Sequence, residues 1–375
     1  MTQEQEFIRQ TAREWARARS PVASFRSLHD RREGGKSDPA LWGEICGMGW
    51  PGALVPEEFG GSGIGFLAMG AILEETARTL TASPLTASAV GGVSALLIAG
   101  SPEQKVLYLP ELASGRRIAV LAADEGPRHT PVQTALKARA DGSEWLLSGR
   151  KMFVPEGSDA QFFIVPARTE GQPGEEWGIT LFIVSSNAPG LSVTPLDMVD
   201  GRACAHLTFN AVRLRQETVL GEASGGYRLL DRILDRLRAA VSAEMLGIAS
   251  QAFEMTVDYL RIRIQFGKPI GTFQALQHRA AKMLIDIELA RSAVEAALEA
   301  LDEDDQVAPE LVSLAKAKAG DALFLVSNEM IQMHGGIGMT HAHDSGLYLK
   351  RARVLEAMYG GRSFHEDRYA TLSGF

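Results

Sequence analysis

Two stretches of this 375-residue chain combine residue types that suit a nucleotide or phosphate ligand. The first runs Arg261-Ile262-Arg263-Ile264-Gln265-Phe266-Gly267-Lys268-Pro269-Ile270-Gly271-Thr272-Phe273-Gln274. Arg263 stands there at a helix end ahead of a glycine, where a planar guanidinium can fork onto a pyrophosphate. Gln265, Phe266, Phe273 and Gln274 can bracket an adenosine by hydrogen bonding and ring contact. The second is Gln332-Met333-His334-Gly335-Gly336-Ile337-Gly338-Met339-Thr340. Gly335 and Gly336 remove side chains, so backbone amides can approach a phosphate closely.

Other reactive types are scattered. Glu244, in Ala243-Glu244-Met245-Leu246, is flanked by apolar residues, and burial would raise the pKa of such a carboxyl. Asp235 is expected to cap or pair, and Glu356 lies one turn before Tyr359. His341-x-His343-Asp344 has ligand-type residues, but alternate positions do not converge on one ion, so no metal site is expected. The glycine-rich loop Val55 to Gly65 follows no buried strand and lacks a lysine in P-loop position, which makes it a structural turn.

The elements that must carry these residues change character along the chain. Residues 1–116 read as helices broken by loops, among them Phe7 to Ala18 and Pro39 to Gly47, the latter opened by Asp38. Residues 117–218 hold short apolar or alternating runs: Ile118 to Ala123, Leu136 to Ala140, Trp145 to Val154, Gln161 to Ala167, Ile179 to Ser185, Leu191 to Pro195 and Ala205 to Phe209. No helical pattern interrupts them, which predicts an antiparallel sandwich or barrel. Within residues 219–375, Leu229 to Arg263, Ala275 to Leu301, Ala308 to Met333 and Asp344 to Leu372 have apolar residues three and four apart, a four-helix bundle. The fold class is therefore α+β: helical domain, β domain, bundle.

Composition excludes several functions. Lys+Arg 38 against Asp+Glu 46 gives a formal charge of -8, which argues against a nucleic-acid surface. Cys46 and Cys204 cannot build a disulfide framework. The uncharged run Thr79 to Gly100 is broken by Pro84, Gly91 and Gly92 and fits a buried helix pair better than a membrane span. With a polar, acidic start and no signal segment, the cytoplasm is the expected setting.

Taken in order, with Val55-Pro56-Glu57-Glu58-Phe59-Gly60-Gly61 and Val219-Leu220-Gly221-Glu222, the two motifs make the sequence resemble the acyl-CoA dehydrogenase family of flavoproteins over nearly its whole length. The resemblance implies FAD, its adenine and diphosphate half held by Arg263, Gln265, Phe266, Phe273, Gln274, Gln332, Gly335 and Gly336, largely in the neighbouring subunit of a dimer. Thr130 and Phe153 fall on the flavin side. The implied reaction removes the α-proton of an acyl-CoA to a base and passes the β-hydride to flavin, giving a 2-enoyl-CoA. Electrons then leave through an electron-transfer flavoprotein. His343 and Asp344 match a family His-Asp pair and are read as cap and hydrogen-bond residues.

The chain departs from the family's pattern at four places. Asp124-Glu125-Gly126-Pro127-Arg128-His129-Thr130-Pro131 stands for Thr-Glu-Pro-x-x-Gly-Ser-Asp, and Phe153-Val154-Pro155 for Trp-Ile-Thr. Tyr359-Gly360 stands for the Glu-Gly that carries one family base, and Leu237 for the glutamate of Leu-Asp-x-Glu-Arg, which carries the other. Three acids could substitute: first Glu244, two turns past Leu237 and an awkward distance of about 10 Å along the axis, then Glu356 and Asp235. A rival expectation is a non-catalytic subunit that completes FAD binding for a paralogue, in a hetero- rather than homo-tetramer. An acyl-CoA oxidase fits the length less well. The altered positions point to a bulky or steroid-like CoA thioester.

Overall fold

The computed structural model describes residues 2–31 and 37–375. Helices α1 (Gln3–Arg19) and α2 (Val22–Arg31) open it. The Thr2 hydroxyl accepts from Gln5 N while the Gln5 side chain accepts from Thr2 N, a reciprocal cap. Helix α3 (Pro39–Gly47) starts from Asp38, whose carboxylate accepts from Ala40 N. After α4 (Gly65–Arg78), the segment Leu85–Gly92 winds as a π-helix and continues as α5 (Val93–Ala99), followed by α6 (Pro102–Ala113). Within the uncharged run, residues 79–84 are turn and coil, and residues 85–99 form one largely buried helical segment whose first part is under-wound. Among the described residues, no helix is long and apolar enough to cross a membrane.

Eight strands form one sheet: β1 (Ala119–Leu121), β2 (Lys137–Asp141), β3 (Glu144–Pro155), β4 (Phe162–Arg168), β5 (Ile179–Ser185), β6 (Leu191–Pro195), β7 (Cys204–Arg215) and β8 (Val219–Leu220). Their order is β6-β7-β3-β2-β4-β5-β8, with β1 beside β4. The sheet is mostly antiparallel, but β1 and β2 each meet β4 in parallel. The β2–β3 hairpin lies between β1 and β4 in sequence, so β4 returns in the direction of β1. Val120, Leu147, Phe163, Phe182 and Leu207 pack the buried side. The β3–β7 ladder slips between Lys151 and Val154, a bulge that lifts Met152 and Phe153 out of register.

The C-terminal part comprises α7 (Gly226–Ile262), the hairpin β9 (Ile264–Gln265) and β10 (Lys268–Pro269), α8 (Gln274–Asp302), α9 (Ala308–His334), a 3-10 turn Gly335–Met339, α10 (Ser345–Ala357) and α11 (Arg362–Leu372). The expected single helix over 344–372 is therefore two. Tyr359 and Gly360 take φ of 56° and 107°, left-handed values that no α-helix continues through. By contact density the described chain forms two compact units, one from residues 1–30, 66–81 and 238–375, the other from 31–65 and 82–237.

Candidate functional site

In the first unit, the two nucleotide-type motifs lie side by side. Tyr259, whose carbonyl accepts from Arg263 N, stacks on His334 with ring centroids 4.4 Å apart, joining the end of α7 to the end of α9. His334 donates through Nδ1–H to Met330 O, 2.7 Å away, and its other ring neighbour is His343 at 4.5 Å. Burial lowers the His334 pKa. This stack fixes the base of the hairpin against the Gly335–Gly336 turn. Around it the sequence-named groups face outward. Arg263, Gln265, Gln274 and Gln332 are exposed, and Phe266, at φ 53°, is 91% exposed and meets Phe273 edge-on at 6.0 Å. Among the described residues, the Arg263 side chain has no ion-pair partner.

The same unit holds the turn 358–361 and Glu244. Arg238, fully buried on α7, donates through Nε to Tyr359 O at 3.4 Å, and its guanidinium lies 5.2 Å from the Phe364 ring centroid. His365 Nε2 meets the same carbonyl at 3.2 Å. Lys316 of α9 donates to Leu355 O, Glu356 O and Gly360 O at 3.1, 3.4 and 3.1 Å. A buried turn with free carbonyls is costly, and these three donors satisfy it. Glu244 is buried and accepts from Arg351 Nη2 of α10 at 2.8 Å, a buried ion pair. Glu356 pairs instead with Arg353, and burial raises its pKa.

In the second unit, the segment that corresponds to the family's flavin strand is satisfied internally. Glu125 accepts from Ala135 N, Leu136 N and Lys151 Nζ, the last at 2.7 Å, and burial pushes the Lys151 pKa down. Asp124 Oδ1 lies 2.8 Å from His129 Nδ1, and its carbonyl accepts from Met152 N. At the bulge, Phe153 (φ 51°) donates its backbone N–H to His206 Nδ1 at 3.1 Å, with the two rings edge to face. Thr130 is exposed, and its carbonyl accepts from Gln133 N.

Comparison with known proteins identifies the family. Residues 2–116, 123–212 and 224–370 match the N-terminal, middle and C-terminal domains of acyl-CoA dehydrogenase. The chain belongs to the acyl-CoA dehydrogenase family. It is 31% identical over 350 residues to a 2-methylacyl-CoA dehydrogenase of Solanum tuberosum, covering 92% of this chain and 84% of that one. Among solved structures, the steroid ACAD Tcur3481–Tcur3483 is similar at 31% identity and TM-score 0.88, covering 99% of this chain and 97% of its own. The ChsE4–ChsE5 complex of Mycobacterium tuberculosis is similar at 26% identity and TM-score 0.90, covering 100% and 98%.

Acyl-CoA dehydrogenases use FAD, and the two ends of that cofactor meet different conditions here. On the first unit, the side chains that would hold the adenosine diphosphate end, Arg263, Gln265, Gln274 and Gln332, are exposed around the Gly335–Gly336 turn. A Cβ added at Gly336 would meet no atom within 4 Å, and its φ is not positive, so nothing in the chain itself requires glycine there. A ligand lying on the backbone would require it. The flavin end does not fit the second unit in the same way. Phe153 N–H is taken by His206, and Pro155 has no N–H to offer.

Sequence reasoning missed Lys316, Arg238 and His365 beneath Tyr359, and Lys151 and His206 behind the bulge. A lysine inside the Ala-rich run Ser313 to Gly320 was the available signal, because an ammonium on an apolar face needs acceptors.

Proposed function

We propose that this chain takes part in FAD-dependent dehydrogenation of an acyl-CoA thioester to the 2-enoyl-CoA as one half of a heteromeric enzyme. It lends its Arg263–Gln274 and Gln332–Gly336 surface to the FAD of a paralogous subunit, and that subunit carries the base. The observation that supports this most is the state of the three acid positions. Leu237 and Tyr359 have no carboxylate, and Glu244 must leave the Arg351 guanidinium before it can take a proton. The internal satisfaction of the flavin strand points the same way. Similarity to the Tcur3481–Tcur3483 and ChsE4–ChsE5 proteins supports both a paralogous partner and a bulky, steroid-like thioester. The electron acceptor is an electron-transfer flavoprotein.

Flavin-to-protein ratio and native mass test the reading. Expressed alone, the chain should hold little FAD and turn over no acyl-CoA. With its paralogue it should give a tetramer with about one FAD per pair of chains, because symmetry repeats any defect of a homomer at every site. A homotetramer with one FAD per chain and its own activity overturns the proposal. A second reading, Glu244 as the base of a homomeric enzyme, draws on its burial among apolar residues of α7. In that case Glu244→Gln keeps the flavin and slows its bleaching by substrate about a hundredfold or more.

A further inference from the structure

Away from the flavin-facing elements, the fold gathers two imidazoles and a carboxylate from distant parts of the first unit. His29 and Asp30 stand in the last turn of α2, and His341 lies in the loop between the Gly335–Met339 turn and α10. Asp30 Oδ1 is 3.0 Å from His341 Nε2 and 3.2 Å from His29 Nδ1. One ligand-type atom from each residue lies within 4.8 Å of the other two. Tetrahedral zinc holds nitrogen and carboxylate ligands at about 2.0–2.2 Å, which sets neighbouring ligand atoms about 3.3 Å apart. Both nitrogen-to-oxygen spacings are near that edge length.

The loop is held to α2 independently. Arg26 reaches Asp344 Oδ1 through Nη2 and His341 O through Nη1, each at 2.6 Å. His29 is 12%, Asp30 40% and His341 66% exposed at the side chain, which leaves an open side for water as a further ligand. Two cations oppose an incoming metal. Lys350 Nζ lies 3.2 Å from His29 Nε2, and Arg26 is the other.

We propose that His29, Asp30 and His341 bind a divalent d-block cation, zinc by ligand type, which clamps α2 to the loop that follows the Gly335–Gly336 turn. Two imidazoles and one carboxylate suit zinc, whereas calcium and magnesium take oxygen ligands.

Cobalt and zinc titration of the full chain in its native assembly tests the site. One Co²⁺ per chain should bind with the intense visible absorption of a low-coordinate site, and Zn²⁺ should raise the melting temperature. Asp30→Asn and His341→Ala should each weaken zinc binding about tenfold or more. Lys350→Met should tighten it by removing the opposing charge. Zinc-free melting temperatures of the variants show that they fold. Binding that ignores both Asp30→Asn and His341→Ala, or the absence of any stoichiometric cobalt spectrum, overturns the proposal.

Discussion

Lys316 holds its side-chain amino group against three backbone carbonyls with no access to water, and burial, with Arg238 adding to it, pushes its pKa down to about 7. In the unfolded chain a lysine titrates at its ordinary value near 10.5. Between those two pH values the unfolded chain binds a proton that the native protein gives up. Stability therefore rises with pH across that window and is lost again on descent toward about 7. His365 works in the same direction at lower pH. Burial and the charges of Lys316 and Arg238 hold it down to about 2, against an ordinary 6.5. Above 6.5 neither state is protonated; below it only the unfolded chain gains the proton, and stability falls. Urea unfolding across pH should show slopes of up to about 1.4 kcal/mol per pH unit on each arm. Lys316→Met should flatten the alkaline arm and His365→Asn the acid one. Unchanged slopes would mean these groups titrate normally.

The break between α10 and α11 is the element on which that chemistry rests. A Cβ at Gly360 would come within 2.5 Å of Phe364 Cδ1, at a φ of 107°. Gly361 has φ -80° and only one atom, Glu356 O at 3.9 Å, near an added Cβ. Gly360→Ala should lower stability by about 1–3 kcal/mol, whereas Gly361→Ala should be close to neutral, as thermal melting would show. Equal effects would mean that the turn relaxes. Much of the architecture was legible from local pattern: Pro39–Gly47 behind Asp38, and the strands Ile179–Ser185 and Leu191–Pro195, fall where periodicity and turn residues put them. The break was not legible, because helical periodicity runs on both sides of it. The donors that pay for it come from α7, α9 and α11. The same limit applies to Glu244, whose apolar neighbours were visible but whose partner, Arg351, lies on another helix. The hairpin and Gly-Gly motifs could be read because each is a contiguous string.

At the scale of the whole molecule, apolar residues remain uncovered on the bundle. Leu284, Ile285 and Leu289 of α8 are 45%, 59% and 57% exposed, and Phe324 of α9 is 56% exposed. Scattered apolar residues are ordinary on a surface, and Phe324 carries the Arg353 guanidinium 4.6 Å from its ring centroid, but three within six positions of one helix need a cover. A second chain of the same fold would supply it. Leu289→Glu should reduce the native mass of the assembled enzyme, read by light scattering, while far-ultraviolet circular dichroism stays unchanged. Full assembly of that variant would place the interface elsewhere.

Gly335 and Gly336 are identical letters under different constraints. The first combines φ 62° with ψ -139°, a region open essentially to glycine alone, while the second has neither a positive φ nor a crowded Cβ. Alanine at 335 should therefore cut soluble yield. Alanine at 336 should leave yield intact and strip flavin from the assembled enzyme. A survey of tolerated substitutions scored by abundance would find one essential glycine there, and the same survey scored by flavin content would find two.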